Sequence, residues 1–122
     1  VAGDQFKSGE LSVTKREVLD KFKRQNLKLP KIKKAFFEEL DETKDLPAKI
    51  SFAFLDGDLY SSIKVSLKLI EPKLQKGSIV AIHDYNNSEL PGSARAVDEW
   101  IKNHPGKYSN FQIKETLAII YF

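Results

Sequence analysis

The sequence predicts an open α/β sheet, and three observations carry that expectation. Two short, nearly continuous apolar runs, Ile50 to Leu55 and Ser78 to Ile82, read as strands covered by helices on both faces. Between them Leu59, Ile63, Leu67, Ile70 and Leu74 recur at three- and four-residue spacing, the period of a helix that buries one side. A second helical pattern, Ala94, Val97, Trp100 and Ile101, follows the second run. Strand, helix, strand, helix, strand is the βαβ rhythm of this class.

Each element has its own local reason. From Ser12 to Asn26 a helix is expected. Thr14 and Glu17 form a capping box, and Val13 is placed to staple against Val18. Val18, Leu19 and Phe22 then fall on one side and Lys15, Arg16, Lys21, Lys23 and Arg24 on the rest. Ile32 to Phe37 reads as a short strand and Asp41 to Lys49 as a polar loop with Pro47 in it. Pro72 should bend or fray the end of the next helix, with Gly77 placed for its stop. Ser93 to Asn103 is the second flanking helix, with Trp100 in the core and His104 as a turn residue. Phe111 to Phe122 is rich in β-formers and predicts one bent strand or a tight final hairpin.

Composition bounds the functions. The 122 residues hold 20 Lys+Arg against 17 Asp+Glu, a net charge of +3, with 41% hydrophobic and 30% charged residues. That describes a single ordinary globular domain. The basic residues interleave with apolar ones, as solvated helix faces do, and no aromatic-rich nucleic-acid motif accompanies them, so no nucleic-acid partner is expected. No apolar run approaches the ~20 residues of a membrane-spanning helix. No secretory signal is visible, and Cys is absent, which excludes disulfides, thiolate metal sites and cysteine nucleophiles. A cytoplasmic protein is the expectation. The chain holds no Met and begins at Val1, from which we expect a piece of a longer domain or a processed product.

The chemistry is concentrated where the two apolar runs end. The first leads into Asp56-Gly57-Asp58 and the second into His83-Asp84-Tyr85. Ligands of open α/β sheets bind beyond the carboxyl ends of the strands. If the two strands are parallel neighbours, their polar side chains meet at one edge. Three carboxylates and an imidazole suit a divalent metal, and Gly57 would permit a sharp turn between the aspartates. Carboxylates packed so closely need a metal or a raised pKa to relieve their repulsion. The plainer alternative has Asp58 capping the following helix and Asp84 opening an Asx turn before Asn86-Asn87. Arg95 could meet an anionic substrate or serve only as a surface charge.

The run from Phe54 through Leu55-Asp56-Gly57-Asp58-Leu59-Tyr60-Ser61-Ser62, then Pro72-Lys73-Leu74, Gly77-Ser78-Ile79-Val80, His83-Asp84-Tyr85 and Pro91-Gly92-Ser93-Ala94-Arg95-Ala96-Val97 resembles the macrocin O-methyltransferase (TylF-like) family. Phe6-Lys7-Ser8-Gly9 and Ala35-Phe36-Phe37 echo it more loosely. The resemblance implies a three-layer, Rossmann-like methyltransferase sheet that uses S-adenosylmethionine and a divalent metal, magnesium or manganese. The acceptor it implies is a hydroxyl of a sugar or sugar-bearing natural product. Carried over by position, Asp56, His83 and Asp84 would hold the metal and Asp58 would be the general base. Phe36, Phe37, Asp56 and Gly57 would lie against the cofactor. His83 stands where the family has an oxygen ligand, which shifts preference away from magnesium. The family's glycine-rich cofactor loop is absent from the sequence. We therefore expect the C-terminal half of the domain, with residues 1–30 as an N-terminal lid or helix segment and with the first strands of the sheet missing. Such a sheet would expose an apolar edge through which it could form a homo-oligomer or associate with another chain.

Other functions compete. Asp56-Gly57-Asp58 would also serve as nucleophile and acid of a haloacid-dehalogenase-like phosphatase, and Asp-x-Asp occurs in metal-dependent glycosyltransferases. A degenerate, non-catalytic interaction module needs neither metal nor cofactor.

Overall fold

The computed structural model describes residues 12–122. Phe6 to Gly9, and with them much of the expected N-terminal segment, lie outside the described residues. Helix α1 is Lys15–Arg24. Its capping box forms as expected. Glu17 N–H donates to Thr14 Oγ1 at 3.2 Å, and Thr14 N–H donates to Glu17 Oε2 at 2.7 Å. The helix buries no residue, and Val13 is exposed rather than closed over as a staple.

The expected strand at Ile32 to Phe37 is not formed; that stretch is irregular and ends in a 3₁₀ turn, Phe37–Glu39. Glu39 reaches back to the Phe36 N–H, and among the described residues no strand pairs with this run to supply ladder hydrogen bonds. The loop that follows is tied by Asp41, whose Oδ1 accepts from Thr43 N–H, Thr43 O–H and Lys44 N–H.

The sheet consists of β1 Ile50–Leu55, β2 Leu74–Ile82, β3 Asn110–Lys114 and β4 Leu117–Tyr121, in the order β1-β2-β4-β3. Strands β1 and β2 are parallel, with Ala53 opposite Val80 and Leu55 opposite Ile82. Helix α2, Tyr60–Ile70, makes the crossover between them. Pro72 ends it in a 3₁₀ turn, Glu71–Lys73, as its ring requires. Gly77, expected to stop the helix, instead lies inside β2 at φ 92°, because the strand begins earlier, at Leu74. The parallel register slips between Ile50 and Phe52, and the Ser78 hydroxyl spans the irregularity by donating to the Ile50 carbonyl at 2.6 Å. The final β3–β4 hairpin forms as expected and adds β4 antiparallel to β2.

Helices α2 and α3, Pro91–Asn103, cover one face of the sheet. Ile63, Leu67 and Ile70 of α2 and Ala96, Val97 and Trp100 of α3 pack on Val80, Ile82, Ala118 and Ile120. The chain is therefore a fragment of a layered α/β fold, and among the described residues no helix covers the second face. Phe52 (60% exposed) and Phe54 (51%) project there, opposite Ile79 and Ala81. This corrects the expectation that β1 is covered on both sides. Trp100 is core, and His104 stacks on it with ring centroids 4.4 Å apart and 12° between planes.

Candidate functional site

The parallel pairing of β1 and β2 ends both strands at one edge, so the residues after Leu55 and Ile82 are brought together. His83 N–H donates to the Leu55 carbonyl at 2.9 Å, which extends the ladder one step beyond the strands. Beyond that step Asp56, His83 and Asp84 converge. Each offers a ligand atom, and these atoms lie within 4.8 Å of one another, so the three could hold one metal ion. His83 Nδ1 stands 3.0 Å from Asp84 Oδ2 and 3.3 Å from Asp56 Oδ1. Its Nε2 faces the Thr116 hydroxyl at 3.4 Å.

Two residues here hold left-handed backbone, Asp58 at φ 57° and Asp84 at φ 58°. Aspartate tolerates this conformation better than most residues, but not freely. Gly57, expected to make the turn, has no positive φ; the turn falls on Asp58. Glycine is needed at 57 for space. A Cβ there would meet Ser62 Cβ at 2.9 Å and the Phe37 ring at 3.3 Å. Asp58 does not cap α2, whose N-cap is Leu59 with no side-chain hydrogen bond.

The electrostatics separate the aspartates. Burial raises the Asp58 pKa, and the charges of Asp56 and Asp84 push the same way. Burial also acts on Asp84, but hydrogen bonds from Asn87 and His83 outweigh it, so that carboxyl lies below its ordinary value. The hydrogen bond to Asp84 raises the His83 pKa. The cluster thus has the mixture that closely packed acids produce: one carboxyl inclined to keep a proton, one to stay charged.

Of the positions assigned to the cofactor, Phe37 packs against Gly57, while Phe36 is 76% exposed. Asp56 lies in the cluster with His83. Sequence reasoning names Asn87 only as following an Asx turn and misses that its Nδ2 donates to Asp84 Oδ1 at 2.9 Å. It also misses Thr116, delivered from the tip of the hairpin, and the buried Ser93, whose hydroxyl faces the Asp58 carbonyl at 3.4 Å. Asn87 follows Asp84 by three residues, one more than an Asx turn spans, and the bond joins two side chains rather than side chain and backbone. Nothing local marks Thr116.

The sequence matches the family described as Macrocin-O-methyltransferase (TylF) over residues 2–118. The chain belongs to that family. The fold agrees with a solved structure described as that of the O-methyltransferase NovP, at TM-score 0.77 and 22% identity over 98% of this chain and 54% of that one. It also resembles the apo structure of CalS11, described as a TDP-rhamnose 3′-O-methyltransferase of calicheamicin biosynthesis. That TM-score is 0.50 at 29% identity, over 61% of this chain and 32% of that one. This chain spans about half the length of the NovP structure. A comparison with curated proteins found no significant match. Among the described residues, no helix is long and apolar enough to cross a membrane.

Proposed function

We propose that this chain supplies the metal site and the general base of an enzyme that transfers a methyl group from S-adenosylmethionine to a hydroxyl of a sugar or sugar-bearing natural product. The observation that carries the reading is the convergence of Asp56, His83 and Asp84 within 4.8 Å, with Asp58 beside them, in a chain of the macrocin O-methyltransferase family. The neighbour described as acting on TDP-rhamnose supports a sugar acceptor.

The donor set fits a divalent ion. Two carboxylates and one imidazole Nδ1 present hard and borderline ligands, a set open to manganese as well as magnesium. When bound, the metal orients and acidifies a coordinated hydroxyl, and S-adenosylmethionine provides the electrophilic methyl. For the cofactor the chain offers one wall, Phe37 against Gly57, and no glycine-rich loop.

What the chain's own residues contribute is positioning and a proton acceptor. Asp58 has a raised proton affinity because burial and two neighbouring carboxylates disfavour its charge, which suits a general base working near neutral pH. It takes the hydroxyl proton as the acceptor oxygen gains its methyl. Asn87 donates to Oδ1 of Asp84 and orients that carboxylate, leaving Oδ2 and the His83 Nδ1 beside it for the ion; a fixed site geometry is what makes in-line transfer fast.

Titration with Mn²⁺, read by electron paramagnetic resonance, tests the site directly. Binding is expected in the wild type and lost in Asp56→Ala and Asp84→Ala. Asp58→Asn should keep the metal and lose turnover. Unchanged Mn²⁺ affinity in Asp84→Ala would refute the assignment, and absence of binding in the wild type would leave a non-catalytic module.

A further inference from the structure

Next to Asp58 the surface folds into a second feature that the metal site does not use. A cleft of about 430 Å³ is lined by Asp58, Leu59, Tyr60, Pro91, Gly92 and Arg95. The N-terminal turns of α2 and α3 form its walls and press together so closely that a Cβ on Gly92 would lie 2.5 Å from the Tyr60 nitrogen. Resting on the methyl-transfer reading above, we propose that Arg95 determines acceptor specificity by binding an oxyanion substituent, phosphoryl or carboxylate, on the sugar whose hydroxyl faces Asp58.

Three observations carry this. The Arg95 guanidinium lies over the Tyr60 ring, with Cζ 4.5 Å from the centroid. Contact with the ring face holds the head group in place, and a guanidinium carries paired N–H donors that can meet two oxygens at once. Second, the ring beneath it is itself held. Tyr60 O–H donates to Glu99, and Lys64 Nζ donates to both Tyr60 Oη and Glu99 Oε1 at 2.8 Å. Lys64 and Tyr60 thereby occupy the carboxylate four residues on from Arg95, and Tyr85 occupies Asp98, three residues on. Among the described residues no carboxylate lies within ion-pair distance of the guanidinium. An arginine already ordered and unpaired loses less freedom on binding an anion. Third, the cleft is polarised. Its lining holds both an acid, Asp58, which adjoins Asp56 and Asp84, and the base Arg95, together with apolar Leu59 and Pro91. A ligand with hydroxyls at one end and an anionic group at the other satisfies both; a neutral sugar leaves Arg95 unused.

The test is calorimetric titration of the metal-free protein with glucose 1-phosphate, glucuronate and methyl glucoside, in wild type, Arg95→Ala and Arg95→Lys. An anionic sugar should bind wild type roughly tenfold tighter than the neutral glucoside, the scale of one charge-assisted contact. Arg95→Ala should erase that advantage and Arg95→Lys, which lacks the fork, should keep only part of it. Arg95 is exposed, so the fold should survive, as circular dichroism would verify. A preference for glucose 1-phosphate supports the phosphoryl form and one for glucuronate the carboxylate form. Equal affinity for neutral and anionic sugars, no binding of either anionic sugar, or an undiminished preference in Arg95→Ala overturns the proposal. Mn²⁺ affinity, measured separately, should be the same in all three proteins; its absence from the wild type would sink the methyl-transfer reading and leave the sugar discrimination to be judged alone.

Discussion

Asp58 and Asp84 follow the ends of two neighbouring parallel strands and share the same left-handed backbone, φ 57° and 58°. Each therefore turns its chain sharply where its carboxylate joins the cluster. Strain of this kind persists where the surroundings over-determine it, and it clusters at functional sites.

That relationship makes stability and activity separable at Asp58. Glycine adopts this φ without a Cβ penalty, so Asp58→Gly should leave stability unchanged or raise it by about 1 kcal/mol. Asp58→Ala, which keeps the Cβ and loses the carboxylate, should be less stable than Asp58→Gly by a similar amount. Both should lack methyl transfer. Urea denaturation checks the order; equal midpoints for the two variants would argue against backbone strain at this position.

Gly92 and Gly106 should respond differently to alanine. At Gly92 the added Cβ would meet Tyr60 backbone at 2.5 Å, and neither helix end can yield without opening the α2–α3 contact. We expect Gly92→Ala to cost about 2 kcal/mol or more and to widen the cleft beside Asp58. At Gly106 there is open space but φ is +78°, so alanine should cost only about 1 kcal/mol, through the backbone alone. Thermal unfolding of the pair would distinguish steric from conformational cost.

Metal affinity should depend on pH through His83. Its pKa is raised above 6.5, chiefly by the hydrogen bond with Asp84, and a metal must displace that proton to reach Nδ1. Mn²⁺ affinity should therefore be weak at pH 6 and strengthen as pH rises through the window above 6.5. In His83→Asp this dependence should disappear from the neutral range, because a carboxylate has already lost its proton there. A wild-type affinity flat between pH 6 and 8 would remove His83 from the ligand set.

Tyr85 gives an alkaline signature. Burial first, and then its hydrogen bond to Asp98, raise its pKa from 10.0 to about 12; the phenol donates to Asp98 Oδ1 at 2.6 Å. A raised folded-state pKa means the stabilisation is complete below pH 10 and is lost as pH rises through about 12. Tyr85→Phe should lose that slope relative to wild type. Melting temperatures collected from pH 9 to 12 provide the comparison.

Much of the site is legible in the order of residues along the chain. The apolar runs 50–55 and 78–82 are too short for helices, and parallel pairing brings their ends together; the coverage of both faces that their continuity suggested fails at Phe52 and Phe54. The inferences that fail are those that assume a local cause. Gly57 has the position of a hinge in the turn, yet its role is to leave room for Ser62 in the first turn of α2 and for Phe37, which comes from 20 residues earlier. Gly77 has the position of a helix stop, but Pro72 has already ended the helix. Ile32 to Phe37 has the composition of a strand, but among the described residues no strand pairs with it.

The sequence alone determined the alternation of elements, the capping box of α1, the end of α2 and the identity of the acids that follow β1 and β2, because these depend on neighbours a few residues apart. Only the tertiary structure decided which residues complete the cluster and which stand alone. Thr116 reaches His83 because the hairpin folds back alongside β2. Among the described residues Arg95 has no carboxylate within ion-pair distance, while Lys64 and Tyr60, on a different helix, hold the two oxygens of Glu99. Phe52 and Phe54 are exposed because both helices pack on the other face. Contacts between residues distant in sequence follow from how the layers pack, and no local pattern encodes them.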